Sequence, residues 1–214
     1  MQNDILSTDT SREFWKKQSF YPSYGNIIKK RRLYETAFLT EWIWGNEPKS
    51  LVDIGCGNGS TVTMLAELTH ISSFYCYDIS LGMLEKIDPR NKRGAIITTQ
   101  LIDLCNNEKP FENVDVTTIL GVNMYLTDEQ IKAQLKHINS DTIISRDPCS
   151  LFHEEINKFS QQLGEEYSAV YRTKDEYIKL YQECGFKVTY SKRAYPDNIE
   201  SDFDTHQYFF ICER

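Results

Sequence analysis

Apolar and polar residues follow two different patterns in the two parts of the chain. In residues 1–48, the sequence predicts a short helix at 11–18 and a longer helix at about 27–44, in which apolar residues recur at helical spacing. From Ser50 onward, short apolar runs alternate with segments of helical periodicity. The runs that predict strands are 50–54, 73–77, 95–99, 114–120, 142–145, 186–190 and 207–212. The segments that predict helices among them are 60–69, 81–87, 128–138, 153–163 and 174–183.

The alternation of strands and helices with short links is typical of an open parallel sheet with helices on both faces. The last two predicted strands have only a loop between them, which favours an antiparallel pair. The change of pattern after the second helix divides the chain into an N-terminal helical appendage, residues 1–48, and a domain formed by residues 49–214.

Composition agrees with one ordered domain and excludes several classes of protein. The 214 residues are 40% hydrophobic and 26% charged, with ten Gly and six Pro, which argues against disorder and low complexity. The net charge of -7 disfavours tight binding to a long nucleic acid, because such binding needs a basic surface. No run approaches the ~20 apolar residues of a membrane span, and the first residues lack the pattern of a secretory signal.

The six cysteines are scattered along the chain, and no two of them form a C-x-x-C pair or show zinc spacing. They are interpreted as free thiols in a reducing cytosol. We therefore expect a cytoplasmic protein that has no membrane span and no bound metal.

A glycine-rich turn after the first predicted strand is the most informative segment. Residues 51–60 read LVDIGCGNGS, an apolar strand that runs into a turn and then a helix. Glycine lets the backbone approach a ligand closely, and the start of a helix offers unpaired N–H groups. Ser60 stands where the last glycine of G-x-G-x-x-G would fall, so the turn departs from the dinucleotide-binding pattern. Asp53, inside the strand end, would repel a pyrophosphate but can pair with a cationic amino group.

An acidic residue also ends the second predicted strand, in the sequence YCYD at 75–78. A carboxylate at this place can accept hydrogen bonds from both hydroxyls of a ribose. The alternative is a helix cap, because Asp78 or Ser80 could begin the helix of 81–87. The glycines upstream favour ribose binding by Asp78.

The motifs DIGCGNG at 53–59 and YDISLGML at 77–84 together resemble the class I S-adenosylmethionine-dependent methyltransferases. The resemblance covers about residues 48–214. It implies a Rossmann-like three-layer fold, with a mostly parallel seven-stranded sheet, an antiparallel last strand and an N-terminal helical lid. It also implies S-adenosylmethionine as the cofactor and S-adenosylhomocysteine as the product.

The resemblance further implies which residues contact the cofactor. Asp53 and the glycine turn would lie against its methionine part, Asp78 would hold the ribose, and Asp103 would meet the adenine amino group. An ordinary loop position is the alternative for Asp103. The residues implied at the cofactor are Asp53, Gly55, Cys56, Gly57, Asp78, Ile79, Met83, Asp103, Leu104, Gly121 and Val122.

The acceptor side is expected at the end of the fourth strand, where the family holds the transferable methyl group. Asn123 and Tyr125 follow this strand and would face the acceptor. The motif [DNS]-P-P-[YFW] of enzymes that methylate nucleic-acid amino groups is absent, which argues against a DNA base. Tyr21 and Tyr24 of the appendage could close over the sulfonium, since aromatic faces favour a cation. Packing against the sheet edge is the alternative for both.

Four further residues are candidates for catalysis or acceptor binding. His153 and Asp147 are candidate general bases, because loops at this end of the sheet reach the site. A helix start and an Asp-Pro turn are the alternatives. Arg146 and Arg172 would suit an anionic acceptor, such as a carboxylate or phosphate, if they converge on the pocket. A solvated surface position is the alternative for each arginine.

The sequence therefore predicts a methyltransferase that acts on a small molecule, such as a sugar, a natural product or another metabolite. Oxygen is the preferred acceptor atom, and an amine or peptide is the alternative. Two rival hypotheses remain: an NAD-dependent oxidoreductase, against which Asp53 and the glycine spacing argue, and a non-catalytic regulatory protein that binds S-adenosylmethionine. The sequence leaves the oligomeric state open.

Overall fold

The computed structural model describes residues 7–18, 25–91, 93–160, 165–200 and 205–214. The helices in these ranges are α1 (Ser7–Lys17), α2 (Gly25–Asn46), α3 (Ser60–Leu68), α4 (Leu81–Leu84), α5 (Asp128–His137) and α6 (Lys174–Glu183). The strands are β1 (Ser50–Ile54), β2 (Ser73–Asp78), β3 (Ile96–Leu101), β4 (Val116–Leu120), β5 (Thr142–Ser150), β6 (Glu154–Ser160), β7 (Glu165–Tyr171), β8 (Lys187–Arg193) and β9 (Thr205–Glu213). Short 3-10 helices, Leu104–Asn106 and Asn123–Tyr125, follow β3 and β4.

Seven strands form the main sheet, in the order β3-β2-β1-β4-β5-β9-β8. Strands β3, β2, β1, β4 and β5 pair in parallel, whereas β9 is antiparallel to both of its neighbours, β5 and β8. The strand order reverses between β1 and β4, and ligands of open α/β sheets bind at the carboxyl ends of the strands at such a point. The predicted Rossmann-like fold, with a seven-stranded sheet and an antiparallel last strand, is confirmed.

Helices cover both faces of this sheet and bury two apolar clusters. On one face, α2 and α3 pack onto the sheet through residues that include Leu39 and Leu65. On the other face, α5 and α6 pack through residues that include Ile131 and Leu180. The central strands β1 and β4 are covered on both sides, which explains why they are nearly continuous buried runs in the sequence.

Helices α5 and α6 begin where their capping residues place them. Thr127 and Thr173 accept a hydrogen bond from a backbone N–H one turn ahead, and the side chains of Gln130 and Glu176 bond back to the cap. These reciprocal bonds satisfy N–H groups that a helix start leaves without partners. The beginnings of both helices agree with the sequence prediction for this reason.

The predicted helix at 153–163 is wrong. Residues Glu154–Ser160 form β6, which pairs with β7 as an antiparallel hairpin outside the main sheet. Ile156 and Phe159 are three residues apart, a spacing that mimics a helix. The hairpin forms because β7 supplies a complete set of backbone partners, and α1 packs against it.

Helix α1 lies along the carboxyl edge of the parallel strands. Arg12 donates a hydrogen bond to Asp103, which follows β3. The same helix contacts the 3-10 helix after β4 and the hairpin, where the Ser11 hydroxyl donates to the carbonyl of Ser168 in β7. No helix in the described ranges is long and apolar enough to cross a membrane.

Candidate functional site

Three glycines of the turn after β1 have left-handed backbone conformations. Their φ angles are 73° at Gly55, 55° at Gly57 and 68° at Gly59. A Cβ atom at position 55 would lie 2.2 Å from Cγ2 of Val122, so glycine lets the ends of β1 and β4 approach each other. Gly59 is the N-cap of α3 and brings no capping side chain, which leaves the first N–H groups of that helix available to a ligand.

Asp78 ends β2 beside this turn. Its carboxylate accepts a hydrogen bond from the N–H of Gly57 at 2.7 Å and another from the N–H of Ser80 at 2.9 Å. Burial raises the pKa of Asp78, and these backbone hydrogen bonds oppose the rise. A carboxylate offers about four lone-pair positions, so roughly two remain for a diol. Ser80, rather than Asp78, is the N-cap of α4.

Asp53 is buried at the end of β1. Its carboxylate accepts a hydrogen bond from the hydroxyl of Thr118 in β4, at 2.7 Å. Burial raises the pKa of Asp53 to about 7 despite this bond, and the nearby carboxylates of Asp78 and Glu35 act in the same direction. Several acids therefore share a small volume at the glycine turn, which favours a cationic group there.

The end of β4 is occupied by an arginine from the neighbouring strand. Gly121 has a φ of 77°, and a Cβ there would lie 2.6 Å from Nη2 of Arg146 in β5. Glu35 of α2 lies 3.1 Å from Nε of Arg146, and Gln207 of β9 accepts from Nη1 at 2.7 Å. The Tyr195 hydroxyl donates to the same Glu35 carboxylate. Burial disfavours the charged guanidinium, but these acidic neighbours hold the pKa of Arg146 above its usual value.

Asp147 lies on the opposite face of the sheet from Arg146, toward α5 and α6. It is fully buried, and Asn123 donates to its carboxylate at 3.2 Å and to the hydroxyl of Tyr181 at 3.1 Å. Burial raises the pKa of Asp147 to about 6, although the hydrogen bonds and the charges of the two nearby arginines oppose the rise. Asn123 and Asp147 are thus brought together in an interior polar cluster.

Arg172 is buried to 1% exposure behind the 3-10 helix that follows β4. Its guanidinium donates to the carbonyls of Asn123 and Leu126, at 3.1 and 2.7 Å, and pairs with Asp128 at 2.8 Å. The two predicted acceptor arginines do not converge, because Arg146 and Arg172 contact different elements on different faces of the sheet. The contacts of Arg172 fix the backbone that leads from β4 into α5.

Asp103 is bound by the N-terminal helix. Arg12 of α1 donates to its carboxylate from Nε at 2.7 Å and lies 2.6 Å away at Nη2. Lys16 lies 3.6 Å from the same oxygen, and Asn106 donates to it at 3.0 Å. Burial favours the neutral acid, but these partners outweigh it and hold the pKa of Asp103 below its usual value. The adenine role that the resemblance implies for Asp103 stays a prediction.

The other residues implied at the cofactor lie around the same turn or on the elements that flank it. Cys56 and Met83 are buried, and Ile79, Leu104 and Val122 are half-buried. Their contacts with a cofactor stay predictions.

Candidates for the acceptor side are distributed more widely. The ring of Tyr125 makes an edge contact with Trp15 of α1, with centroids 5.4 Å apart. His153 is exposed and pairs with Glu176 at 3.0 Å, at the start of α6. Tyr21 and Tyr24 lie outside the described residues. The catalytic and acceptor roles given to these residues stay predictions.

Sequence reasoning missed three residues at this edge of the sheet. Glu35 lies on α2, Tyr195 lies in the segment after β8, and Arg12 lies on α1. Glu35 had a detectable signal: it shares a helical face with the buried Leu39 and Ile43, four and eight residues further on. A buried acid on an apolar helix face is uncommon unless it has a partner. Tyr195 and Arg12 gave no such signal.

The residues at this edge fit S-adenosylmethionine, which carries a ribose, a cationic sulfonium and an amino group. Asp78 retains lone pairs for a diol, the left-handed glycines expose backbone, and Asp53 is a buried carboxyl that can ionise beside a cationic ligand. No group of three or more metal-ligating side chains occurs in the ranges that the structure covers.

Comparison with known proteins agrees with this geometry. The family model for a methyltransferase domain matches residues 51–140, the segment that carries the glycine turn, Asp78, Asp103 and the end of β4. Residues 51–140 are a methyltransferase domain. No curated protein matches the chain in sequence.

Several solved methyltransferase structures have the same fold as this chain. A SAM-dependent methyltransferase from Leishmania major aligns with a TM-score of 0.70 at 16% identity, over 96% of this chain and 82% of that one. Magnesium protoporphyrin IX methyltransferase from Synechocystis PCC 6803, determined with bound SAM, aligns with a TM-score of 0.69 at 15% identity, over 100% of both chains. The methyltransferase domain of a bacterial Hen1 protein aligns with a TM-score of 0.63 at 19% identity, over 86% and 100%.

The predicted resemblance to class I methyltransferases is therefore confirmed, by the family model for the domain and by these structures for the fold. The predicted enzyme class, a methyltransferase, is confirmed at the same level. The identity of the methyl acceptor is a separate question, which the residues around Gly121 address.

Proposed function

We propose that this methyltransferase transfers the methyl group of S-adenosylmethionine to a carboxylate oxygen of a small molecule, forming a methyl ester. The observation that carries the proposal is the Arg146 guanidinium, which lies against Gly121 at the end of β4. A guanidinium binds a carboxylate oxygen through charge-assisted hydrogen bonds, which are stronger than those between neutral groups. Glu35 and Gln207 fix the position of the guanidinium, and the Arg146 side chain keeps 17% exposure.

The placement of α1 supports a small acceptor. This helix contacts Asp103 after β3, Tyr125 after β4 and Ser168 in β7, and so it lies over the edge of the sheet at which we place the acceptor. An acceptor beneath it is limited to the size of a metabolite. The acidic net charge of -7 also argues against a nucleic acid as the substrate.

The positions of the candidate bases support a carboxylate rather than a hydroxyl. His153 is exposed and paired with Glu176, and Asp147 is fully buried on the opposite face of the sheet from Arg146. A hydroxyl acceptor benefits from a general base, whereas a carboxylate is ionised at neutral pH and has a lone pair ready for attack. In this proposal the chain needs to align the acceptor and exclude water, and alignment can lower the barrier by about 7 kcal/mol or more.

When bound, S-adenosylmethionine supplies a methyl group on a sulfonium that needs no further activation. Arg146 would hold one carboxylate oxygen and leave the other to form the new C–O bond as the methyl–sulfur bond breaks. No proton is transferred, because the carboxylate anion and the sulfonium cation yield a neutral ester and a thioether. Asp78 would hold the ribose, and Asp53 would ionise beside the cationic part of the cofactor.

Cofactor binding is tested by calorimetry on the wild type, Asp78→Ala and a matched control, Asp88→Ala. Asp88 is exposed, and its carboxylate pairs with the exposed Arg90. Loss of two charge-assisted hydrogen bonds of roughly 1.5 kcal/mol each should weaken binding by Asp78→Ala about 100-fold. Asp88→Ala should bind like the wild type. A folded wild type that does not bind S-adenosylmethionine contradicts the proposal, and a titration with NADH then tests the oxidoreductase.

The acceptor class is tested by release of S-adenosylhomocysteine with matched sets of small aromatic and aliphatic carboxylic acids, their primary amides, the corresponding alcohols and amines. We expect turnover with acids only, and a large rise in KM with Arg146→Met. Arg90→Met is the control, because its side chain is fully solvated. Turnover with alcohols or amines but not acids would assign a hydroxyl or amine acceptor instead. Binding without any turnover across the panel would support the regulatory alternative.

We also propose that the protein works in the reducing cytoplasm. All six cysteines are free thiols, and four of them, Cys56, Cys76, Cys149 and Cys212, are buried. A chain that leaves six thiols unpaired is typical of a reducing compartment. Fractionation of source cells with an antibody to the protein tests this location, and recovery in a membrane or secreted fraction contradicts it.

A further inference from the structure

Strand β3 forms one edge of the main sheet and is unusually exposed. Five of its six residues are exposed, and Ile96 and Leu101 have 66% and 54% of their surface open to solvent. The strand reads IITTQL and contains no charged residue and no proline. Edge strands of soluble proteins usually carry a charge, a proline or a bulge that prevents pairing with another chain. Strand β3 carries neither a charge nor a proline.

The sequence around β3 is symmetric in polarity about Thr99. Ile96 and Ile102 lie three residues to either side of it, and Ile97 and Leu101 lie two residues to either side. Between them, Thr98 and Gln100 are both polar. A strand with this pattern, paired antiparallel with a copy of itself, sets apolar residues opposite apolar residues and polar opposite polar.

The backbone N–H and C=O groups of β3 that point away from β2 belong to the residues that this pairing requires. The N–H groups of Ile96 and Ile102 donate to Ser72 and Asp78 on the β2 side, at 2.8 and 2.9 Å. Successive residues in a strand direct their backbone groups to alternate sides, so residues 97, 99 and 101 direct theirs outward. Within the described ranges, β3 pairs with β2 alone.

We propose that β3 pairs antiparallel with β3 of a second copy of this chain, about a two-fold axis at Thr99. Thr99 would form a hydrogen-bonded pair with its own copy, and Ile97 would form one with Leu101 on each side of the axis. Ile96 would face Ile102 on the other surface of the sheet. Two seven-stranded sheets would thereby join into one continuous fourteen-stranded sheet.

Neighbouring registers are excluded by the same criteria. A two-fold axis at Thr98 or Gln100 still pairs outward-directed backbone groups with each other and keeps opposing side chains on the same face of the sheet. However, the axis at Thr98 sets Ile97 opposite Thr99, and the axis at Gln100 sets Leu101 opposite Thr99. An axis between two residues would place opposing side chains on different faces of the sheet. Among these registers, only the axis at Thr99 sets apolar residues opposite apolar residues. This self-complementary pattern is the reason to propose a second copy of the chain, rather than an unrelated strand, as the partner. A two-fold interface of this kind is self-complementary by construction.

The test is the solution mass of the wild type and two lysine variants, measured by light scattering and sedimentation at about 100 µM, where an interface of micromolar affinity is saturated. Thr99→Lys places two ammonium groups opposite each other at the axis. Thr189→Lys is the matched control, because Thr189 is an exposed threonine on β8, the other edge of the sheet. We expect twice 25.0 kDa for the wild type and the control, and 25.0 kDa for Thr99→Lys.

Hydrogen exchange identifies the surface independently of mass. Amides 97, 99 and 101 should exchange at least tenfold more slowly at high protein concentration than at low concentration, because dimer formation would bury their outward N–H groups. Amides of β8 should show no such dependence. A monomeric wild type at the higher concentration overturns the proposal, as does a dimer that persists in Thr99→Lys with no concentration-dependent protection of β3. Both variants should bind S-adenosylmethionine like the wild type.

Discussion

Gly121 and Gly185 share a left-handed backbone but have different surroundings. Their φ angles are 77° and 85°, and a Cβ would touch Arg146 at position 121 but nothing within 4 Å at position 185. Gly185→Ala should cost about 1 kcal/mol of stability from backbone strain alone. Gly121→Ala should cost a further 1–3 kcal/mol, roughly, because the guanidinium must move. Urea unfolding compares the two, and equal losses contradict the contact with Arg146.

Asp53 predicts a pH dependence of stability with a definite sign. Its pKa is about 7 in the folded protein and near 3.8 in an unconstrained chain, so the folded state holds a proton that the unfolded state has lost between these values. Stability should therefore fall as the pH rises through this range, and level off above pH 7. Between pH 5 and pH 8 the wild type should lose on the order of 2 kcal/mol relative to Asp53→Asn.

Urea unfolding of both proteins at several pH values measures this difference. The comparison with Asp53→Asn cancels the titration of other groups, including Asp147, which is buried on the far face of the sheet. Parallel stability curves for the two proteins would falsify the assignment of a raised pKa to Asp53.

The residues of the site differ in how far the sequence alone could identify them. The turn glycines and Asp78 come from adjacent strand ends with a recognisable local pattern, and the structure brings them together. Glu35 and Arg146 meet only because α2 packs across β5, a contact between residues 111 positions apart that no local pattern encodes. Local motifs therefore predict the cofactor side better than the acceptor side.

At the scale of elements, Arg172 is expected to stabilise the fold by fixing the 3-10 helix after β4. Arg172→Met leaves the carbonyls of Asn123 and Leu126 without their donor and breaks the contact with Asp128, whose side chain is half exposed. The loss should be about 2–6 kcal/mol, because each buried acceptor left unsatisfied costs about 1–3 kcal/mol. Arg90→Met, at an exposed pair, should cost less than about 1 kcal/mol. An Arg172→Met protein of wild-type stability but raised KM would instead support acceptor binding by Arg172.

Helix α1 should be held in place by the pair of Arg12 with Asp103. Arg12→Gln removes the ion pair and leaves a weaker contact, so α1 should detach more often and trypsin should cut faster after Lys16 and Lys17. Limited proteolysis followed by mass spectrometry measures the rate. Arg90→Gln should digest at α1 like the wild type. Unchanged cleavage in Arg12→Gln would show that the contacts with β7 suffice.

The elements themselves were predictable where local signals and tertiary packing agree. Strands β1 and β4 are covered on both faces and form apolar runs, and α5 and α6 begin at capping boxes. The hairpin of β6 and β7 was not predictable, since its residues mimic helical spacing and its contacts come from α1 and from the pairing of β6 with β7. Here tertiary contacts override the local pattern.

At the scale of the whole molecule, cofactor binding should raise the unfolding temperature, because the site joins β1, β2 and the start of α3, which are separated when the chain unfolds. A ligand at 100 times its Kd stabilises the folded state by about 2.7 kcal/mol. For a chain of 214 residues this corresponds to a shift of roughly 5–10 °C. S-adenosylhomocysteine should produce that shift in the wild type and in Asp88→Ala.

The same thermal measurement separates the rival functions. Asp78→Ala should show little shift at equal ligand concentration, because its ribose contact is lost. NADH should leave the wild type unchanged, since Asp53 and the neighbouring acids repel a pyrophosphate at the glycine turn. A shift with NADH and none with S-adenosylhomocysteine would assign the turn to a dinucleotide. Both ligands contain an adenosine, so the outcome depends on the group attached to the 5′ carbon of the ribose. The buried acids at the end of β1 favour a cation over a phosphate at that position.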